Sequence, residues 1–167
     1  TLVFAKAKKT VISMECNRDY ALKARRNLRK YNNVTILNAH SLKKRDLLSF
    51  VKKYKYKYPK NIASEVKENN FYEYKNEINM DSDFENALPF LINNDTKQIV
   101  FLDSAGGVGY LEFKTFMKLP KKNLVNKILI LDDVMHVKHY RSVTELKNMG
   151  YKPKIINSRF AFLSFIK

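Results

Sequence analysis

The chain has a single cysteine, Cys16, so no disulfide can form within it. It also has no apolar run approaching the ~18 residues that a membrane-spanning helix needs. Together these absences lead us to expect a soluble, cytoplasmic protein without a membrane partner. Glycine is scarce: three of the four residues lie between Gly106 and Gly109, and none precedes them. Arginine is scarce as well, at 7 of the 32 cationic residues, and carboxylates are half as numerous as cations. The resulting net charge of +16 invites a nucleic-acid or anionic-membrane reading, because phosphate contacts are the commonest use of surplus cations. Lysine, however, suits planar bidentate recognition poorly, and here it is scattered among Asn, Ile and Tyr, so the excess reads first as a solvated surface. What the chain does hold is core-forming material. With 45% hydrophobic and 13% aromatic residues over a length of 167, it suits one α/β domain spanning 1–167 and argues against disorder.

The richest stretch is 128–142, ILILDDVMHVKHYRS, where an apolar run ends in two carboxylates and a cluster of imidazoles and cations. Ile128, Leu129, Ile130 and Leu131 are what a parallel strand covered on both faces needs, and ligands in open α/β sheets sit beyond the carboxyl ends of such strands. Asp132 and Asp133 would face a site there. A second run, 98–103, repeats the design about 30 residues earlier, the span of one strand–helix–strand unit. Two such strands can hold Asp103 and Asp132 side by side.

Taken in order, 2–9 reads as a short helix, 10–15 as a strand ending in Glu15, and Asn17 as the cap of a helix over about 18–30. A strand over 34–37 ends in Asn38, Ala39, His40 and Ser41, and 42–53 is amphipathic, with Leu47, Leu48 and Val51 inward. Residues 54–80 differ in kind. Lysine alternates with tyrosine up to Tyr58, and a segment rich in Asn, Glu and Lys follows without periodicity, as in an inserted loop or lid. Such an alternation could stack the bases of a single strand, but a biased surface insertion is the stronger reading. Helical spacing resumes over 84–91. The glycines after the second acidic strand lack both the Lys-Ser/Thr of a P-loop and the spacing of a dinucleotide fingerprint, so they read as a tight turn before a helix over 110–119. A helix over 141–149, closed by Gly150, precedes a terminal antiparallel hairpin at 154–157 and 160–166 with its turn at Ser158 and Arg159.

The order strand–Glu, helix, strand, helix, strand–Asp, helix, strand–AspAsp, helix, hairpin resembles the class I S-adenosylmethionine-dependent methyltransferases. Within them it is most similar to the divalent-cation-dependent, catechol O-methyltransferase-like O-methyltransferases. The carriers are VISMECNRDYALKARRNL (11–28), VTILNAHS (34–41), VFLDS (100–104) and LILDDV (129–134). The resemblance implies a Rossmann-like, doubly wound, mostly parallel sheet with a C-terminal antiparallel hairpin strand. It implies that Glu15 holds the ribose hydroxyls of S-adenosyl-L-methionine, that Cys16, His40 and Ser41 line the adenine, and that Asp103 borders the cofactor. It further implies a metal such as Mg²⁺ on Asp103, Asp132 and Asp133, lowering the pKa of a substrate hydroxyl.

Two departures stand out. The catechol enzymes carry a lysine shortly after the first metal Asp, where this chain has Ala105, Gly106 and Gly107. His136 and His139 are then the candidates for base or extra ligand, against the alternative that they cap or pack the following helix. The family's first strand and its glycine loop would lie immediately before Thr1, so the expected sheet lacks that strand in this chain, with two edges left unpaired, weak cofactor binding and marginal stability. The leading expectation is methyl transfer to a small-molecule hydroxyl. Nucleic-acid methylation fits the charge, but the Asn/Asp-Pro-Pro-aromatic motif of base methylases is replaced by Asp103-Ser-Ala-Gly. A non-catalytic, methyltransferase-like binding module is the third alternative.

Overall fold

The computed structural model describes residues 1–7, 9–62, 71–92, 96–104 and 106–165, so the expected insertion at 54–80 lies partly outside the described residues. Helix α1 (Leu2–Lys6) leads into strand β1 (Val11–Glu15), whose β-branched start gives way to the polar end that halts it. Asn17 then caps α2 (Arg18–Leu28), its Oδ1 accepting from the backbone N–H groups of Asp19 at 2.9 Å and Tyr20 at 3.1 Å. Strand β2 (Val34–Asn38) follows and pairs with β1 in parallel, Val11 opposite Val34 and Glu15 opposite Asn38. After α3 (Lys44–Lys53), α4 (Phe71–Ile78) and α5 (Ala87–Ile92) come β3 (Gln98–Leu102), α6 (Gly106–Met117), α7 (Lys121–Leu124) and β4 (Lys127–Leu131). The chain then continues through α8 (Tyr140–Asn148) into the hairpin of β5 (Lys154–Ile156) and β6 (Phe160–Ser164).

The architecture is mixed α/β with two small sheets. One is the parallel pair β1–β2, and the other has the order β3–β4–β6–β5, in which β3 and β4 run parallel and β6 is antiparallel to both its neighbours. The expected sheet lacks one strand and leaves two edges unpaired, and among the described residues β1 and β3 are edges with no strand between them. Their apolar side chains record it, Ile12 being 48% exposed, Ile99 58% and Phe101 36%. Helix α1 covers part of this opening, with Phe4 5.9 Å from Phe101 between ring centroids and Thr1 Oγ1 3.1 Å from Ser13 Oγ. β4 is buried along most of its length, as its unbroken apolar run requires, whereas β3 alternates between buried and exposed residues because one of its sides is open.

The main core lies between the four-stranded sheet and α3, α6 and α8. Leu129, Leu131, Phe113, Phe116, Val51 and Leu146 are buried there. The glycines do not form a tight turn. They make the first turns of α6, and the reason is tertiary: a Cβ on Gly107 would come within 2.9 Å of the Tyr54 ring, and one on Gly109 within 2.7 Å of the Ser104 carbonyl oxygen. The helix can approach the end of β3 only where it lacks side chains. The hairpin turns at Asn157 (φ 52°) and Ser158 (φ 53°), one residue earlier than expected, and two successive positive φ values define the type I′ turn that matches strand twist.

The tyrosine alternation is an extended strap. Tyr54, Tyr56 and Tyr58 face inward while Lys55 and Lys57 are exposed. Arg141 on α8 draws the rings in, its guanidinium carbon lying 4.0 Å from the Tyr110 ring centroid, 4.9 Å from Tyr56 and 5.6 Å from Tyr54. In this packing Tyr54 is buried and Tyr56 and Tyr58 are half-buried. The tightest contact beneath the sheet end should be the least tolerant of added volume. Gly109→Ala is expected to cost about 1–3 kcal/mol of stability, as overpacking of a close contact does, read as a lowered urea midpoint. A variant as stable as the parent would mean that α6 has room to move away from Ser104.

Candidate functional site

The register of β3 against β4 sets Leu102 opposite Leu131, so the next residues, Asp103 and Asp132, emerge together at the carboxyl edge. Asp132 keeps its backbone in the ladder by donating to the Leu102 carbonyl at 3.2 Å. Asp133 takes the left-handed conformation (φ 51°), which aspartate tolerates, and its N–H donates to Asp132 Oδ1 at 2.9 Å. That turn folds the chain back so that one oxygen from each of Asp103, Asp132 and Asp133 lies within 4.8 Å of the others. The structure thus brings the three acids together at one strand edge.

Two cations from the chain already occupy the space between them. Lys138 Nζ donates to Asp103 Oδ1 at 2.7 Å and to Asp133 Oδ2 at 3.0 Å. Arg159, delivered by the hairpin turn, grips Asp132 with both prongs, Nε to Oδ1 at 2.8 Å and Nη2 to Oδ2 at 3.2 Å, and lies 3.4 Å from Asp133 Oδ1. Burial by itself would raise the Asp132 carboxyl, but hydrogen bonds from Arg159 and its surroundings bring it below the ordinary range. Burial would lower the Lys138 ammonium, yet Asp103 and Asp133 hold it above the usual value. Lys138 and Arg159 occupy the carboxylate oxygens that a hard cation would need as ligands. In this arrangement the cluster does not fit a resident Mg²⁺ ion.

At the ends of β1 and β2 the polar groups serve one another. Glu15 Oε1 accepts the Asn17 N–H at 2.9 Å, and Asn38 Nδ2 bridges the carbonyls of Glu15 at 2.9 Å and Cys16 at 3.0 Å, while Asn38 Oδ1 is buried without a partner. The Cys16 thiol is pushed up to about 11 by burial and by the Glu15 and Glu77 carboxylates, so it is neutral and not a nucleophile. His40 is buried and turned away, its Nε2 3.2 Å from the Met80 carbonyl, with burial holding its pKa below the ordinary value. Its backbone and that of Ser41 bind the 83–88 segment, through Ala87 N–H to His40 O at 3.1 Å and Leu88 N–H to Ser41 O at 2.9 Å.

Glu112 ties the two halves of this edge together. It is buried on α6, its Oε1 accepts from Ser104 Oγ at 2.7 Å, and the Ser41 hydroxyl bonds the same carboxylate. The carboxyl ends of β2 and β3 therefore meet over one acid. Burial pushes that acid up to about 7, with the two hydroxyls opposing the rise and Asp103 adding to it.

Of the two histidines, His136 is half-buried and accepts the Lys138 N–H on Nδ1 at 3.3 Å. His139 is fully buried beneath the acids, Nδ1 3.1 Å from Ser142 Oγ and its ring against Gly109. Burial lowers its pKa to about 4, with Lys138 assisting and the Leu102 carbonyl partly compensating, so the ring is neutral. Sequence reasoning missed Lys138, Arg159 and Glu112. Only Glu112 carried a signal, as the one charged residue in the stretch 106–113.

Compared with known proteins, the chain matches no family model, no curated protein and no solved structure.

The Glu112 environment has a measurable consequence. The unfolded chain gives up this proton near pH 4.5 while the folded protein keeps it to about 7, so this group lowers stability progressively across that interval and by a constant amount above it. Glu112→Gln, shaped like the protonated acid, is expected to exceed the parent by up to ~3 kcal/mol above pH 7 and to gain little at pH 4. Urea unfolding at the two pH values checks this; an equal gain at both would show that ionisation is not the cause.

Proposed function

We propose that the chain performs S-adenosylmethionine-dependent methyl transfer to a hydroxyl of a small molecule. The observation that supports this most is the meeting of strand ends around Glu112, which brings the polar residues after β2 and β3 to one edge, beside those of their partners β1 and β4. We read the two small sheets as flanks of one doubly wound, Rossmann-like sheet, since a ligand crevice lies at the carboxyl ends of such strands. Glu15 suits a ribose diol, because one carboxylate oxygen is fixed by the Asn17 N–H and the carboxylate retains lone pairs for hydroxyl donors. The partnerless Asn38 Oδ1 adds a buried acceptor at the same edge. A neutral Cys16 can lie against an adenine ring without reacting, and His40 and Ser41 shape the wall chiefly through their backbone. When bound, the cofactor would supply an electrophilic methyl group. Asp103 and the Asp132–Asp133 pair would then face the acceptor side.

A second reading has its own observation. Arg18, Arg25, Arg26 and Arg29, four of the seven arginines, belong to α2 and its C-cap, and residues 1–45 carry twelve cations against two carboxylates. Arg25 is engaged by the Ile36 carbonyl at 3.0 Å and by Asp83 at 3.7 Å, although like Arg18, Arg26 and Arg29 it is exposed. Such a face could hold a nucleic-acid backbone. No helix among the described residues is long and apolar enough to cross a membrane.

Calorimetric titration with S-adenosylhomocysteine decides the leading reading. The parent should bind, and Glu15→Ala should bind about ten- to a hundredfold more weakly, as the loss of a charge-assisted hydrogen bond of ~1.5–3 kcal/mol predicts. No binding by the parent would sink it. RNA binding that weakens steeply with salt and is lost in Arg26→Glu/Arg29→Glu would favour the second reading instead.

A further inference from the structure

We propose that Lys138 is the resident cation of the acidic cluster and that it keeps divalent metal out. The inference rests on the methyl-transfer reading only for its functional meaning; the chemistry stands on the cluster itself. Three carboxylates converge within 4.8 Å, a geometry that attracts a hard cation. The ammonium of Lys138 sits between two of them at 2.7 and 3.0 Å, and its side chain is only 14% exposed. Arg159 neutralises the third. Three negative charges against two positive ones leave a single surplus charge, too little to draw in and desolvate a dication that must also displace a doubly bonded ammonium.

Lys138 is held in this place from several sides. Its backbone N–H donates to His136 Nδ1 at 3.3 Å, and the preceding Val137 carbonyl accepts from Tyr58 Oη at 3.0 Å. Earlier in the same loop, the Val134 N–H donates to the Arg159 carbonyl at 2.9 Å. The loop is thus clamped between the tyrosine strap and the hairpin, with the lysine stem directed back over the acids. An ammonium has three donors; two are spent on Asp103 and Asp133, and the third remains for an oxygen of an acceptor molecule. The site would then orient a hydroxyl by hydrogen bonding where the metal-dependent enzymes do so by coordination.

The test is Mn²⁺ binding to the full chain, followed by the loss of the free-ion paramagnetic resonance signal, for the parent, Lys138→Met, Lys138→Ala and Lys138→Arg. Lys138→Met keeps most of the stem and guards against a folding defect in the alanine variant. The parent and Lys138→Arg should leave Mn²⁺ free into the millimolar range, while the two neutral variants should bind at least tenfold more tightly. Equal binding by all four proteins would overturn the inference, because the lysine would then be no barrier. Binding by none would overturn it equally, since something other than Lys138 would be excluding the ion. S-adenosylhomocysteine titrated into the same parent sample separates the two levels: loss of cofactor binding with the Mn²⁺ pattern intact removes the methyl-transfer reading and leaves Lys138 as the resident cation.

Discussion

Three carboxylates cannot share a partly buried edge unless cations come with them. At separations near 4–5 Å and an effective dielectric constant of about 20, each like-charge pair costs several kcal/mol, and much of the C-terminal half of the chain is arranged around that cost. Arg159 reaches Asp132 because the I′ turn at Asn157 and Ser158 places it at the mouth of the hairpin, and its carbonyl accepts from the Val134 N–H. The residue that neutralises the acid also docks the hairpin against the loop. Lys138 reaches the other two acids from the loop itself, which Tyr58 holds from the opposite side. Strap, loop and hairpin are therefore mechanically connected through charge compensation.

Beneath this charged layer lies one in which burial favours uncharged groups. His139 and Glu112 are both buried directly under the strand ends, and burial drives each toward its uncharged form, the imidazole losing its proton and the carboxyl keeping one. Ionising either would put a second set of charges in a low-dielectric layer already bordered by three acids. The closeness of that layer to the strand ends depends on Gly109, where a side chain would collide with both Ser104 and His139. A glycine that reads locally as flexibility acts here as a spacing device.

The sequence made legible whatever rests on short-range pattern. β1, β2, β3 and β4 fall within a residue or two of the apolar runs that announce them, the Asn17 cap is where its side chain demands, and the acids lie at the strand ends because polar residues end those runs. Illegible were the features whose cause sits elsewhere in the chain. Nothing local to the glycine stretch says that Tyr54 and His139 will lie against it, so a turn was expected where a helix begins. The Lys-Tyr alternation reads as surface until Arg141 supplies its rings with a cation. Lys138 is one lysine in a chain full of them, and only the geometry of Asp103 and Asp133 distinguishes it. The break between β1 and β3 is anticipated by the family resemblance, which leaves two edges unpaired, and not by the pattern of either strand alone.

The charge arrangement bears on what such an edge can hold. On the methyl-transfer reading the cofactor carries a sulfonium, a fixed positive charge, and the cluster of Asp103, Asp132, Asp133, Lys138 and Arg159 retains one uncompensated negative charge. That surplus favours a monovalent cationic ligand over a dication with its large desolvation cost. A neutral hydroxyl, by contrast, needs only a donor and an acceptor, and the rim offers both in the remaining N–H of Lys138 and the carboxylate oxygens around it. A dianionic acceptor such as a phosphate monoester would have to approach three carboxylates through a screen of two cations, one of them already bidentate to Asp132. On that reading the cluster would disfavour a phosphorylated acceptor by its charge, before any shape of the surrounding walls is considered.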